Sequence, residues 1–352
     1  MKKKLLLIAY RAWGDFLYTV PSLTILNREY DIYLETNWKI WNLVHNDPRF
    51  KHVSTFIYEK YPKEQWANLF VKRWKAVEDE IKPDKVINLN GSLEVHCIAE
   101  NFQEEFYLPH KERREHFGQR SFYDAVFERC GIEPPNEPKL DELYYSPEEI
   151  KSVEDWRKRE KNSFIIIMPI AGSTSQKVLH PFLEWTDKLL KRYPKAKIYL
   201  SGDNKCKLVV PKKHPRVKNL CGSDIPIKQN FLMTKYANYV IGPETGTLVA
   251  AGMWGTPKTM LCTTSNVYQC VKYHKNDHSI QAPIYCSPCH RAIYFDTDCE
   301  QMMGNVATKS LYPACAKSFN LEYILPHIDM YYNRFSARGN FGPHLPRKYP
   351  CP

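Results

Sequence analysis

The stretch "YVIGPETGTLVAAGMWGTPKTMLC", Tyr239 to Cys262, leaves the chain little conformational choice. An apolar run ends in Gly-Pro, Glu-Thr-Gly opens a segment of small residues, and Gly-Thr-Pro leads into a second apolar run. The order is strand, turn, helix, turn, strand. Strands this apolar have both faces covered, which is the habit of parallel sheets flanked by helices. Small residues bring the helix close to the sheet, and the turn leaves main-chain N–H groups open at the helix start, where an anion is favoured.

The same grammar runs through the rest of the chain. "KLLLIAY" predicts a first strand and "GDFLYTVPSLTILNREY" a helix with an apolar face, followed by the strands "DIYLET" and "KVINLN". The polar, proline-marked stretch from Glu133 to Ser152 interrupts the pattern. It restarts with "SFIIIMPIAGSTSQ", the amphipathic "PFLEWTDKLLKRYP", the strand "AKIYLSG", then "VKNLCG" and "IKQNFLMTKYA". At 352 residues the chain exceeds one ordinary core. The expectation is an α/β protein of two Rossmann-like, doubly wound parallel-sheet domains facing across a cleft. Residues 1–155 would form the first, 156–330 the second with a cysteine-rich loop at 286–315, and 331–352 a C-terminal tail.

Composition narrows the function classes. Apolar residues at 43% and charged residues at 25% exclude disorder, and a net charge of +11 favours an acidic partner such as a nucleotide, nucleic acid, anionic glycolipid or membrane surface. The charge is spread in pairs, so a merely soluble basic surface accounts for it equally. Met1 to Lys4 followed by "LLLIAY" imitates a signal peptide, but Arg11 and Asp15 cut the apolar run short. The reading is cytoplasmic, with peripheral contact at the inner membrane surface. Eleven cysteines in such a setting point to a metal site or buried thiols.

Three segments resemble the heptosyltransferase family, GT-B glycosyltransferases that transfer ADP-heptose to lipopolysaccharide core. "GDFLYTVPSL" is similar to the family's N-terminal Gly-Asp-x-Leu-x-Thr-x-Pro-x-Leu. "GSDIPIKQNFLMTKYANYVIGPETGTLVAAGMWGTP" is similar to its C-terminal signature, and "CSPCHRAIYFDTDC" to a later Cys-x-Pro-Cys segment. Glu244 stands where the family has Asp, and Val249 where it commonly has His. In "SQKVLHP" Lys177 falls one place early, and His180 replaces Trp. The resemblance implies an inverting transfer from an ADP-activated or other NDP-sugar to an acidic or membrane-associated glycan, a glycolipid or a protein, without a catalytic divalent metal.

An inverting transfer needs a base for the acceptor hydroxyl and stabilisation of a departing nucleotide diphosphate. The resemblance puts Asp15 in the first role; from position alone a capping carboxylate is the alternative. Ser173, Thr174, Thr245 and Gly246 lie at strand-to-helix turns suited to a diphosphate, with helix capping as the alternative, and Glu244 belongs to the same signature. Lys177 would neutralise the diphosphate or be a surface lysine. Asp203, after a strand, would accept from ribose hydroxyls or stabilise a turn. Cys286, Cys289, Cys299 and Cys315 form C-x2-C-x9-C-x15-C, thiolates suited to a structural zinc or iron centre, with buried thiols as the alternative. Rival readings are sugar transfer to a modified nucleic-acid base, a non-catalytic nucleic-acid-binding protein built on the cysteine knuckle, and an inactive relative of the enzymes.

Overall fold

Every ladder in the two large sheets is parallel. The structure is a computed structural model that describes residues 2–57, 60–62, 65–90, 111–112, 115, 120–172, 175–204, 206, 214–290, 299, 301–305 and 310–337. The chain divides into two compact units. The first holds residues 1–145, 268–273 and 289–291; the second holds 146–267, 274–288 and 292–352.

The first unit is built on β1 (Lys3–Ala9), β2 (Tyr30–Asn37), β3 (Phe50–Phe56) and β4 (Lys85–Asn88), in the spatial order β3-β2-β1-β4. Its helices are α1 (Trp13–Leu17), α2 (Val20–Glu29), α3 (Trp38–Val44), α4 (Trp66–Ile81) and α5 (Phe122–Arg129). Leu5 to Ala9 are buried to the last atom or nearly so, as the opening apolar run demands. The chain adds β2 and β3 on one side of β1, then returns to place β4 on the other. The strand order therefore reverses at β1.

The second unit begins with α6 (Pro147–Arg159), whose first turn is closed by a capping box between Ser146 and Glu149. β5 (Phe164–Pro169), α7 (Phe182–Arg192), β6 (Ala196–Ser201), β7 (Val217–Asn219), α8 (Ile227–Lys235), β8 (Tyr239–Pro243), α9 (Gly246–Met253), β9 (Lys258–Cys262) and β10 (Ile280–Gln281) follow, while α10 (Val267–Val271), between β9 and β10 in the chain, belongs from residue 268 on to the first unit. The sheet order is β10-β9-β8-β5-β6-β7, so the reversal here lies between β5 and β8. All residues of β5, β8 and β9 are buried. Strands β11 (Met302–Asn305) and β12 (Ser310–Pro313) form an antiparallel pair, and α11 (Ala314–Lys317) and α12 (Leu325–Ala337) close the unit.

Two boundaries differ from the sequence reading. The units divide at 145/146 rather than 155/156, because α6 packs into the second unit through buried Val153 and a 3.0 Å ion pair from Glu149 to Lys228 of α8. Residues 331–337, read as the start of a tail, continue α12, held by Tyr332 against Phe164 and Tyr193. Residues 338–352 lie outside the described residues.

Candidate active site

In a doubly wound sheet, ligands bind beyond the carboxyl ends of the strands where the strand order reverses, because the loops diverge there and leave a crevice. In the second unit that point lies at the ends of β5 and β8. β8 comes so close to β5 that a Cβ on Gly242 would stand 2.6 Å from the carbonyl oxygen of Pro169. Glycine is the residue that permits this approach. Gly172, in the loop after β5, is similarly confined, 2.9 Å from Lys177 Cβ and 3.3 Å from the main-chain oxygen of Glu244. The two turns are thus packed against each other.

Glu244 is the hub of this packing. Its Oε1 accepts from the main-chain N–H groups of Thr263 (2.5 Å), Thr264 (3.1 Å) and Ser265 (3.2 Å), and its Oε2 from the hydroxyl of Thr264 at 2.5 Å. Four donors thus meet one carboxylate. Lys177, 6% exposed in a single 3₁₀ turn (Ser175–Lys177), places its Nζ 3.6 Å from Glu244 Oε2. Thr263 also donates its hydroxyl to the carbonyl of Gln176 at 3.4 Å. One carboxylate therefore gathers the loops after β5, β8 and β9.

Thr245 and Gly246 open α9 beside this hub. Thr245 is the N-cap residue, yet its hydroxyl makes no capping bond, and its Oγ1 is buried with no hydrogen-bond partner among the described residues. Ser265, 1% exposed, carries a second such hydroxyl. Buried hydroxyls are rarely left unused. With the first amides of α9, they form a donor-rich face suited to phosphate oxygens. Ser173 and Thr174 lie outside the described residues. Asp203 follows β6 and accepts from the Cys206 N–H at 3.1 Å.

In the first unit the reversal falls between β1 and β4, and Asp15 sits there, in the first turn of α1 and half-buried. The loop that carries it is fixed at several points. Buried Arg11 donates Nε to the Leu89 carbonyl, and the Tyr10 N–H donates to Asn90 Oδ1 at 2.8 Å, tying the β1 and β4 exits together. Asn37 donates to the Arg11 carbonyl at 2.9 Å, and the Trp13 indole to the Lys39 carbonyl at 3.0 Å. Behind it, fully buried Glu35 accepts from the Tyr10 hydroxyl at 2.7 Å, from Arg73 Nε at 3.2 Å and from Ser54. Burial first, and Glu35 second, push the Tyr10 hydroxyl far above its ordinary pKa.

Sequence reading missed Arg11, Glu35 and the Thr263–Ser265 loop. A lone arginine directly after a buried strand, and the hydroxyl run "CTTS" at the end of β9, were the available signals. Of the cysteines, Cys315 is buried and Cys286, Cys289 and Cys299 are partly exposed. No group of three or more His, Cys, Asp or Glu among the described residues is arranged to hold a metal. No helix among them is long and apolar enough to cross a membrane.

No protein-family model matches the chain, and no curated protein matches it in sequence. Solved structures do. The glycosyl transferase family 9 protein from Veillonella parvula DSM 2008 superposes with a TM-score of 0.64 at 13% identity, over 94% of this chain and 97% of that one. E. coli ADP-heptose lps heptosyltransferase II gives 0.62 at 12%, over 95% and 99%. The iron-containing dodecameric glycosyltransferase TibC from enterotoxigenic E. coli H10407 gives 0.55 at 11%, over 96% and 82%. The fold is that of the heptosyltransferase-like GT-B glycosyltransferases.

Proposed function

We propose that the chain is an inverting glycosyltransferase that moves a heptose or related sugar from a nucleoside diphosphate, ADP foremost, to a hydroxyl of a glycan, glycolipid or protein. The observation that carries the reading is the donor-rich turn at the β5/β8 reversal, with the Thr245 hydroxyl at the head of α9 buried and unpartnered among the described residues. The likeness to the heptosyltransferase structures supports it, one of them TibC in complex with ADP-D-beta-D-heptose, at a TM-score of 0.55 and 10% identity.

In this reading the second unit holds the donor. The diphosphate lies on the amides of Gly246 and Thr247 and on Thr245, and Ser173 and Thr174 are proposed as further ligands. The helix dipole and Lys177 meet the negative charge that grows on the leaving diphosphate, so no catalytic divalent metal is needed. Asp203 takes the ribose hydroxyls. Glu244 acts through the loop it holds: it is a positioning residue, and its extra methylene relative to Asp reaches the 263–265 amides. Asp15 removes the acceptor proton as the sugar–oxygen bond forms. The basic surface suits an acidic acceptor at the face of a membrane. The four-cysteine spacing suits zinc or iron by its donor chemistry, and elemental analysis of protein purified without chelators decides its presence.

The test is a thermal-shift screen of nucleoside diphosphates and NDP-sugars. A ligand that binds only the folded state raises the melting temperature. Selective stabilisation by ADP and an ADP-sugar is the expected result, and indifference to every nucleotide sinks the reading.

A further inference from the structure

The second unit also contains a pair of thiols that the proposed transfer does not use. Cys206 and Cys221 lie on the loops that leave β6 and β7, and both are buried. Their sulfurs converge on one point: a Cβ on Gly202 would stand 2.7 Å from Cys206 Sγ and 3.3 Å from Cys221 Sγ. The main chain already joins the two loops. The Gly222 N–H donates to the Gly202 carbonyl at 3.1 Å, and the Leu220 N–H to Leu200 at 2.8 Å. Gly222, at φ +58°, is pressed so close to Asn204 that a Cβ there would meet Asn204 Oδ1 at 2.2 Å. Two cysteines whose sulfurs reach the same point, from loops joined by main-chain bonds, are placed to come together as a disulfide.

We infer that Cys206 and Cys221 form a reversible intramolecular disulfide, a redox modification site on the loop that carries Asp203. The oxidant is a peroxide. The Cys206 thiolate attacks one oxygen of hydrogen peroxide, the O–O bond breaks, and the departing hydroxide takes up a proton to leave as water. The Cys221 thiolate then attacks the resulting sulfenic sulfur, the S–O bond breaks, and a second water leaves. Two thiols and one peroxide give one disulfide and two waters, the sulfurs losing the two electrons that reduce the peroxide.

Burial pushes the Cys206 thiol up to about 11, with Asp203 adding to it, and burial together with Cys206 pushes Cys221 up to about 12. Little thiolate exists at neutral pH, so the pair reacts slowly and responds to sustained exposure. Its rate should climb about tenfold per pH unit between pH 7 and 9, whereas exposed thiols level off near their ordinary pKa of about 8.5.

The experiment uses the full chain, reduced and then exposed to hydrogen peroxide, alkylated under denaturing conditions and digested at aspartate and glutamate. Both cysteines fall in the single peptide 204–224. The expected product is that peptide lighter by two hydrogens and unalkylated, split by trypsin into two linked pieces and restored by dithiothreitol. In Cys221→Ser the mass loss should vanish, while Cys206 becomes trappable as a sulfenic acid. The inference is overturned if both cysteines stay alkylatable while others in the chain oxidise, or if Cys206 is found joined to a different cysteine. The readout involves no nucleotide, so it stands apart from the transferase reading.

Discussion

Lys177 Nζ and Glu244 Oε2 lie 3.6 Å apart, on two different turns and both almost fully enclosed. Removing one member of a buried pair leaves the other charge uncompensated. Glu244→Gln does more, because it sets an NH₂ group against amides that are themselves donors. The expected cost is about 3 kcal/mol, read as a lower urea midpoint with an unchanged slope. A variant as stable as the parent would show that the 263–265 loop does not depend on this carboxylate.

Thr245→Val separates ligand binding from capping. Valine keeps the shape and deletes a hydroxyl that has no partner among the described residues. Since Thr245 makes no capping bond, unfolding should be unchanged or slightly harder. ADP affinity should fall about tenfold, the scale of one hydrogen bond to a charged oxygen. Lost stability with intact ADP binding would make Thr245 a structural residue only.

Asp15→Asn keeps the size of the side chain but loses the proton acceptor. Turnover with the donor found in the nucleotide screen should fall about a hundredfold or more, while donor affinity by calorimetry stays near that of the parent. Transfer at the parental rate would show that Asp15 is not the base.

His278 gives a pH dependence. Burial, and then His327 stacked at 4.1 Å, hold its imidazole below the ordinary histidine pKa, with Lys258 pushing the same way and Asp277 opposing. The unfolded chain then takes up the proton first, at about 6.5. The stability contributed is present in full above that pH and is lost as pH falls through the lower folded value. Because His327 belongs to α12, and Tyr331 of α12 hydrogen-bonds His278 at 3.2 Å, the loss should appear as smaller hydrogen-exchange protection factors in α12 as pH falls from 7 to 5. His278→Gln should flatten the profile; an unchanged profile in that variant would assign the dependence elsewhere.

The parallel sheets and their order along the chain could be read in advance because apolar runs and small-residue helices are local signals. Roles decided by tertiary contacts were harder to read. Nothing near Glu244 in sequence says that its side chain will turn to amides at 263–265, and Lys177 reads equally as a diphosphate ligand or a surface residue until the Glu244 turn packs over it. Likewise the ten-residue shift of the unit boundary depends on where α6 finds its partner, Lys228, which a proline-rich stretch does not announce.

Residues 268–273 belong to the first unit although the chain on both sides belongs to the second. They bring Lys272 and Tyr273 to Asp124 of α5, each at 2.6 Å. A ribosome that has released only the first 145 residues has therefore not yet supplied this piece. The first unit cannot finish folding until most of the second has been synthesised, and a fragment cut at the unit boundary should remain a binding target for chaperones.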